Sequence, residues 1–135
     1  MLPEIHTMGG MIMELSELFR NYGLGVMATA APDGRVNTAV YDRPHVIDSE
    51  TLVWGMTDGR TFRNVVQNPH ASYLFRESGP GFRGVRIGLE QLRTEEQGEM
   101  LETIQRNTNE VVGPGAGSAV THAAWFKVVE IRELI

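Results

Sequence analysis

The stretch Gly55-Met56-Thr57-Asp58-Gly59-Arg60-Thr61 holds the residue types most suited to chemistry. It passes from the end of an expected strand into the start of an expected helix. Free backbone N–H groups and the positive helix end make such a junction receptive to anions. The Arg60 guanidinium can fork onto a phosphate, and the Thr61 hydroxyl adds a donor. An exposed arginine at an ordinary helix start competes with that reading. No P-loop or Gly-x-Gly-x-x-Gly pattern decides between them.

Asn37-Thr38 falls mid-strand, where Asn is depleted. The pair either aims amide and hydroxyl groups at a polar ligand or faces outward on an exposed sheet. Trp54 and Trp125 could flank a flat ring, or could anchor the core or an interface. His6, His45, His70 and His122 do not stand at helical metal-ligand spacing, and no cysteine joins them, so no metal site is read. The serines lack a nucleophile-elbow context, and no acid/base pair stands out. Redox or transfer chemistry here would have to come from a cofactor.

The 135 residues suit one domain, spanning 1–135, with 41% hydrophobic and 21% charged residues, as in folded globules. A formal charge of −5, with the basic residues unclustered, argues against nucleic acid as a partner. Arg60, Arg63, Arg76, Arg83, Arg86 and Arg93 crowd the middle of the chain and could serve a small anion instead. No apolar run approaches the roughly 20 residues of a membrane helix, so no membrane partner is expected. Met1-Leu2-Pro3-Glu4 lacks the basic start of a signal peptide. Zero cysteines exclude disulfides and thiolate chemistry and are compatible with the cytoplasm.

The elements that must position these residues follow from periodicity. Met11, Ile12, Leu15, Leu18 and Phe19 predict a helix over Met11 to Tyr22, stopped at Gly23. Leu24–Ala30 and Arg35–Tyr41 read as a hairpin around Ala31-Pro32-Asp33-Gly34: Pro presets φ, Asp bonds its own backbone and Gly supplies positive φ. A third strand is expected at Thr51–Met56, then a two-turn helix over Arg60–Gln67, ended by Asn68-Pro69. Strands follow at His70–Glu77 and Phe82–Arg93. Thr94-Glu95-Glu96-Gln97 reads as a capping box opening a helix to about Arg106. A mobile loop is expected over Asn107–Ser118, and a last strand over Ala124–Arg132. Six strands with short links predict a mainly β fold, a six-stranded antiparallel barrel with short peripheral helices.

In this order, the hairpin Gly25–Thr29 to Arg35–Thr38, Leu52-Val53-Trp54-Gly55, Arg60-Thr61 with Asn64-Val65 and Asn68-Pro69, Gly81-Phe82, Val85-Arg86-Ile87-Gly88 and Leu92-Arg93-Thr94 form an ordered series. The series resembles the FMN-binding split-barrel family related to pyridoxamine 5'-phosphate oxidase. It is similar in size and spacing to the small bacterial FMN-binding proteins, from about Leu18 to Ile135. The resemblance implies a homodimer with two FMN molecules at the subunit interface, and an oxidoreductase or electron carrier. It implies a phosphate site at Arg60 and Thr61, and contacts to the ribityl chain and flavin from Asn37 and Thr38. The strand end Trp54, Gly55, Met56 and Thr57 would lie beside the isoalloxazine. Arg83 falls where the oxidases carry a flavin-contacting Gln, and Trp125 would reach the partner's flavin. The oxidases' C-terminal Arg/His pattern is missing, which speaks against pyridoxamine phosphate oxidation. F420 in place of FMN stays open, as does a non-catalytic ligand-binding or sensory barrel with a degenerate flavin site.

Overall fold

A computed structural model describes residues 6–8 and 11–135, with side chains from Glu14 onward. The Met1-Leu2-Pro3-Glu4 stretch lies outside the described residues. Two three-residue strands, β1 (His6–Met8) and β2 (Met11–Met13), pair as an antiparallel hairpin. The helix expected over Met11 to Tyr22 shrinks to a single turn, α1 (Leu15–Leu18). Leu15, Leu18 and Phe19 are buried, so the apolar spacing was real but occupies one turn and its exit.

The main sheet has seven strands, one more than expected, all paired antiparallel. They are β3 (Gly23–Ala30), β4 (Val36–Val40), β5 (His45–Asp48), β6 (Thr51–Met56), β7 (His70–Glu77), β8 (Gly84–Glu95) and β9 (His122–Glu133), in the spatial order β4-β3-β7-β8-β9-β6-β5. The unexpected strand is β5, which pairs with β6. Gly34 takes φ +93 in the β3–β4 turn and donates to the Ala31 carbonyl at 2.9 Å, as the Pro-Asp-Gly sequence predicts.

The sheet must curl. Strands β4 and β5 are its two edges, and only residues 41–44 join them. Five backbone steps reach at most about 18 Å. Seven flat strands would hold the edges about 29 Å apart. The link can close only if the sheet rolls up, with its two margins brought together at Tyr41-Asp42-Arg43-Pro44. Two side chains hold that link from inside: Tyr73 Oη lies 2.9 Å from the Asp42 carbonyl, and Trp54 Nε1 donates to the same carbonyl at 2.9 Å.

The barrel interior is filled by Met27, Leu52, Trp54, Tyr73, Phe75, Ile87, Phe126 and Val128, among others. A second cluster of Val53, Leu101, Ile104 and Ala123 lies on the other side of β6. It is covered by α3 (Glu99–Val111), which starts later and ends later than the capping box implied. Thr94 and Glu95 belong instead to β8, paired with Ala124 and Ala123. Gly98, at φ +121, makes the turn into the helix. The segment expected to be a mobile loop is partly α3. After Gly113 it forms a 3-10 turn, Ala116–Ala119. Gly117 is buried there, and its N–H donates to Asn109 Oδ1 at 2.7 Å.

Candidate functional site

The site is built on α2 (Arg60–Gln67), whose sequence Arg-Thr-Phe-Arg-Asn-Val-Val-Gln buries Thr61, Asn64 and Val65 and leaves Arg60 and Arg63 outside. Polar bonds fix its rotation. Asn64 Nδ2 donates to Thr29 Oγ1 at 3.0 Å, both residues being buried, and Asn68 Nδ2 donates to the Ala30 carbonyl at 3.3 Å. Phe62 stacks on His122 with ring centroids 3.7 Å apart and planes within 11°. Such buried pairs are costly to break, because each partner left alone loses its solvation without return. The middle and end of the helix are thereby held against the end of β3.

The first intrahelical bond runs from the Arg63 N–H to the Gly59 carbonyl at 3.0 Å, and no side chain caps the start. The N–H groups of Arg60, Thr61 and Phe62 precede that bond and carry the partial positive charge of the helix end. Arg60 is exposed and has no ion pair or hydrogen bond among the described residues. Arg63, by contrast, donates to the Asp58 carbonyl at 3.4 Å.

Arg60, Thr61, Thr57, Gly55, Asn37 and Thr38 line one cleft of about 510 Å³. Six of the ten residues singled out from the sequence therefore meet there. Asn37 Nδ2 donates to Thr61 Oγ1 at 3.3 Å. Burial raises the Tyr41 phenol above the ordinary tyrosine value, with Thr61 opposing. Thr61 thus links β4 to α2 as well as facing the cleft. By strand alternation, Thr38 points to the face opposite Asn37 and Tyr41 and reaches the cleft along its backbone.

The other four residues stand elsewhere. Trp54 is 2% exposed and faces the barrel interior, with its ring 4.7 Å from Tyr73 and 5.6 Å from Phe126. Met56 is 1% exposed and buried in the same core. Trp125 packs on the second cluster, donates to Glu95 Oε1 at 2.6 Å and lies under the Arg93 guanidinium at 3.9 Å. Arg83 lines a different cavity of about 460 Å³, with Glu17, Asn21 and Phe82. That cavity adjoins the Gly23 end of β3, whereas α2 holds the Thr29 end, about 20 Å along the strand.

Sequence reasoning missed Tyr41. Its signal was available, since Tyr41 continues the period-two spacing of Asn37 and Ala39 one residue past the end of β4. Gly55 gains a specific reason. A Cβ there would come within 2.5 Å of Ile104 and 2.7 Å of Val120, so only glycine lets the α3 region rest on β6 beside the cleft. His122, stacked on Phe62, is buried and its Nδ1 has no hydrogen-bond partner among the described residues.

No family model and no curated protein matches the sequence. Solved structures do match in fold. An FMN-binding protein from Syntrophomonas wolfei subsp. wolfei superposes with a TM-score of 0.76 at 19% identity, over 90% of this chain and 86% of the other. A pyridoxamine 5'-phosphate oxidase-like protein from Lactobacillus delbrueckii gives 0.66 at 15% identity, covering 96% and 98%. An F420 reductase gives 0.64 at 18% identity, covering 86% and 94%. With its seven antiparallel strands rolled about one core and its helices kept to the periphery, this chain has the split-barrel fold of the FMN-binding and pyridoxamine 5'-phosphate oxidase-like proteins.

Proposed function

We propose that the chain is a single-domain FMN-binding flavoprotein that holds the flavin phosphate at Arg60 and acts as an oxidoreductase or electron carrier. The observation that carries this reading is an exposed, unpaired guanidinium at an uncapped helix start, inside a cleft with Asn37, Thr57 and Thr61. These residues fit a phosphate: Arg60 supplies charge-assisted bonds, the helix start supplies N–H donors, and the threonine hydroxyls supply further donors. Asn37 sets the position of Thr61, and with Tyr41 it lines the route away from the phosphate end. A bound flavin would supply the electron-transfer chemistry that these side chains lack.

The reading includes a homodimer. The outer face of the sheet supports it: Val36 and Val40 are 81% and 73% exposed, and the register places Val40 beside Val26 and Val26 beside Leu74. A continuous apolar row of this kind favours a covering partner. In such a dimer, Trp125 and Arg83 would serve the second copy's flavin rather than their own. A cytoplasmic location goes with the cysteine-free composition. Among the described residues, no helix is long and apolar enough to cross a membrane.

F420 in place of FMN draws on the same anion site, and a degenerate, non-catalytic barrel is the reading from another class. The absorption spectrum of the purified protein, with the released cofactor identified by mass, separates them. A yellow protein releasing FMN is expected. A deazaflavin mass would give the site to F420, and a colourless protein that takes up no added FMN would overturn the flavin reading.

A further inference from the structure

A separate cleft of about 400 Å³ opens beside the turn that enters α2, lined by Asp58, Glu96, Leu101, Gln105, Thr121 and His122. It shares no lining residue with the Arg60 cleft, which takes Thr57, Gly59 and Val120 where this one takes Asp58 and Thr121. Backbone bonds stiffen the chain between the two. The Gly59 N–H donates to the Thr57 carbonyl at 2.9 Å, and the Thr121 N–H donates to the Met56 carbonyl at 3.0 Å. From α3, Leu101 and Gln105 complete the lining.

This lining offers acceptors and no cation. Asp58 and Glu96 are exposed, and neither carboxylate has an ion pair or hydrogen bond among the described residues. Gln105 commits its amide N–H to the Val120 carbonyl at 2.8 Å, which leaves its amide oxygen to accept. Arg63 reaches the Asp58 carbonyl from α2 but does not line the cleft. The buried polar member is His122, 7% exposed and held flat on Phe62, with its Nδ1 unpartnered among the described residues. A buried nitrogen left unpaired is uncommon in a native fold and calls for a bound group or water to answer it. Acceptors select a ligand made of donors. Among the described residues, no three His, Asp or Glu side chains stand together closely enough to hold a metal ion. Acids set apart in this way suit an extended ligand with two positive groups better than a point cation.

We propose that this cleft binds a small aliphatic diamine in its diammonium form, with one ammonium on Asp58, the other on Glu96, and His122 as a further acceptor. Each ammonium meets one carboxylate, and an N–H donated to a carboxylate is a charge-assisted bond. The methylene chain between them rests on Leu101, the one aliphatic side chain of the lining. The site is independent of the flavin reading, because no group in it belongs to the Arg60 cleft.

The test titrates putrescine into the protein at low ionic strength, with butylamine as the monoamine and magnesium chloride as the point cation. Calorimetry gives the affinity, and amide NMR shifts give the location. Saturable putrescine binding is expected, tighter than butylamine, with shifts centred on Asp58, Glu96, Gln105 and Thr121 and no such shifts from magnesium. Both carboxylates are exposed, so Asp58→Asn and Glu96→Gln should each weaken putrescine only about two- to fivefold, the range of an exposed ion pair. The double variant should lose about four- to twenty-fivefold if the two ends act independently. His122→Phe keeps a flat ring against Phe62, removes the nitrogen and should also weaken putrescine. Glu110→Gln, exposed on α3 and outside the cleft, is the control and should change nothing. Equal affinities for putrescine and butylamine would overturn the proposal, as would unchanged putrescine affinity in any of the three cleft variants. An equal loss in Glu110→Gln would mean a diffuse acidic surface only and would overturn it too. Putrescine binding with the expected losses, in a protein that takes up no FMN, would support the cleft and sink only the flavin reading.

Discussion

Tyr73 Oη lies 2.9 Å from the carbonyl of Asp42 and 3.1 Å from that of Tyr41, so a side chain at the barrel centre holds the link between the two sheet edges. Tyr73 is fully buried, and its phenol pKa is pushed far up, chiefly by burial and then by Asp42. Tyr73→Phe removes this tie. Trp54 still serves the Asp42 carbonyl, so the loss falls mainly on Tyr41. A destabilisation of about 1–3 kcal/mol in urea unfolding is expected, the cost of one unsatisfied buried acceptor. No measurable change would show that the link is held by its backbone alone.

Gly25 should tolerate less. Its carbonyl accepts from the Tyr41 N–H at 3.0 Å, it stands opposite Phe75 in the β3–β7 register, and a Cβ would strike both Tyr73 Oη and the Tyr41 carbonyl. Because a backbone atom is among those struck, Gly25→Ala should cost more than Tyr73→Phe, by roughly 1 kcal/mol or more. Equal stabilities of the two variants would mean that the link shifts freely.

Arg60→Ala should weaken FMN about ten- to a hundredfold, corresponding to about 1.5–3 kcal/mol for a charge-assisted bond. Riboflavin, without the phosphate, should bind as before. Arg63→Ala is the control, because that side chain turns towards the Asp58 carbonyl. An equal loss for FMN and riboflavin would make Arg60 a support of the fold rather than a phosphate anchor.

The pH dependence has a definite sign. His45 is about half-buried, and desolvation lowers its pKa below the unfolded 6.5, with Asp42 opposing. The unfolded chain therefore binds the proton first, and this contribution to stability is present above pH 6.5 and lost as the pH falls through it. Tm should fall between pH 7.5 and 5.5, less steeply in His45→Gln. Identical slopes would remove His45 from the account.

The parts of the fold legible in the sequence carry local punctuation. Pro32-Asp33-Gly34 fixed the β3–β4 turn, and Asn68-Pro69 fixed the end of α2. Where long-range pairing competes with local signals, sequence reading failed. Thr94-Glu95-Glu96-Gln97 has the residues of a capping box, but pairing with Ala123 and Ala124 claims the first two for β8. His45-Val46-Ile47-Asp48 is too short and polar to announce a strand, and only β6 beside it makes it one. The cleft was half legible. Arg60, Thr61 and Asn37 line one cleft, and Trp54 takes the core position that its residue type allowed, whereas the burial of Met56 was not readable. Leu52, Val53, Trp54 and Met56 are all buried, because the barrel core takes one face of β6 and α3 covers the other. A strand covered on both sides shows no alternation.

The separation of the two tryptophans between those two layers has an optical consequence. Trp54 sits buried in an aromatic interior, while Trp125 is only partly buried, between Glu95 and Arg93. Their emission should resolve into a short-wavelength component that soluble quenchers do not reach and a longer-wavelength one that iodide attenuates. On heating, early loss of the second component alone would mark α3 lifting from β9 while the barrel persists, so the intrinsic fluorescence reports the order in which the layers part.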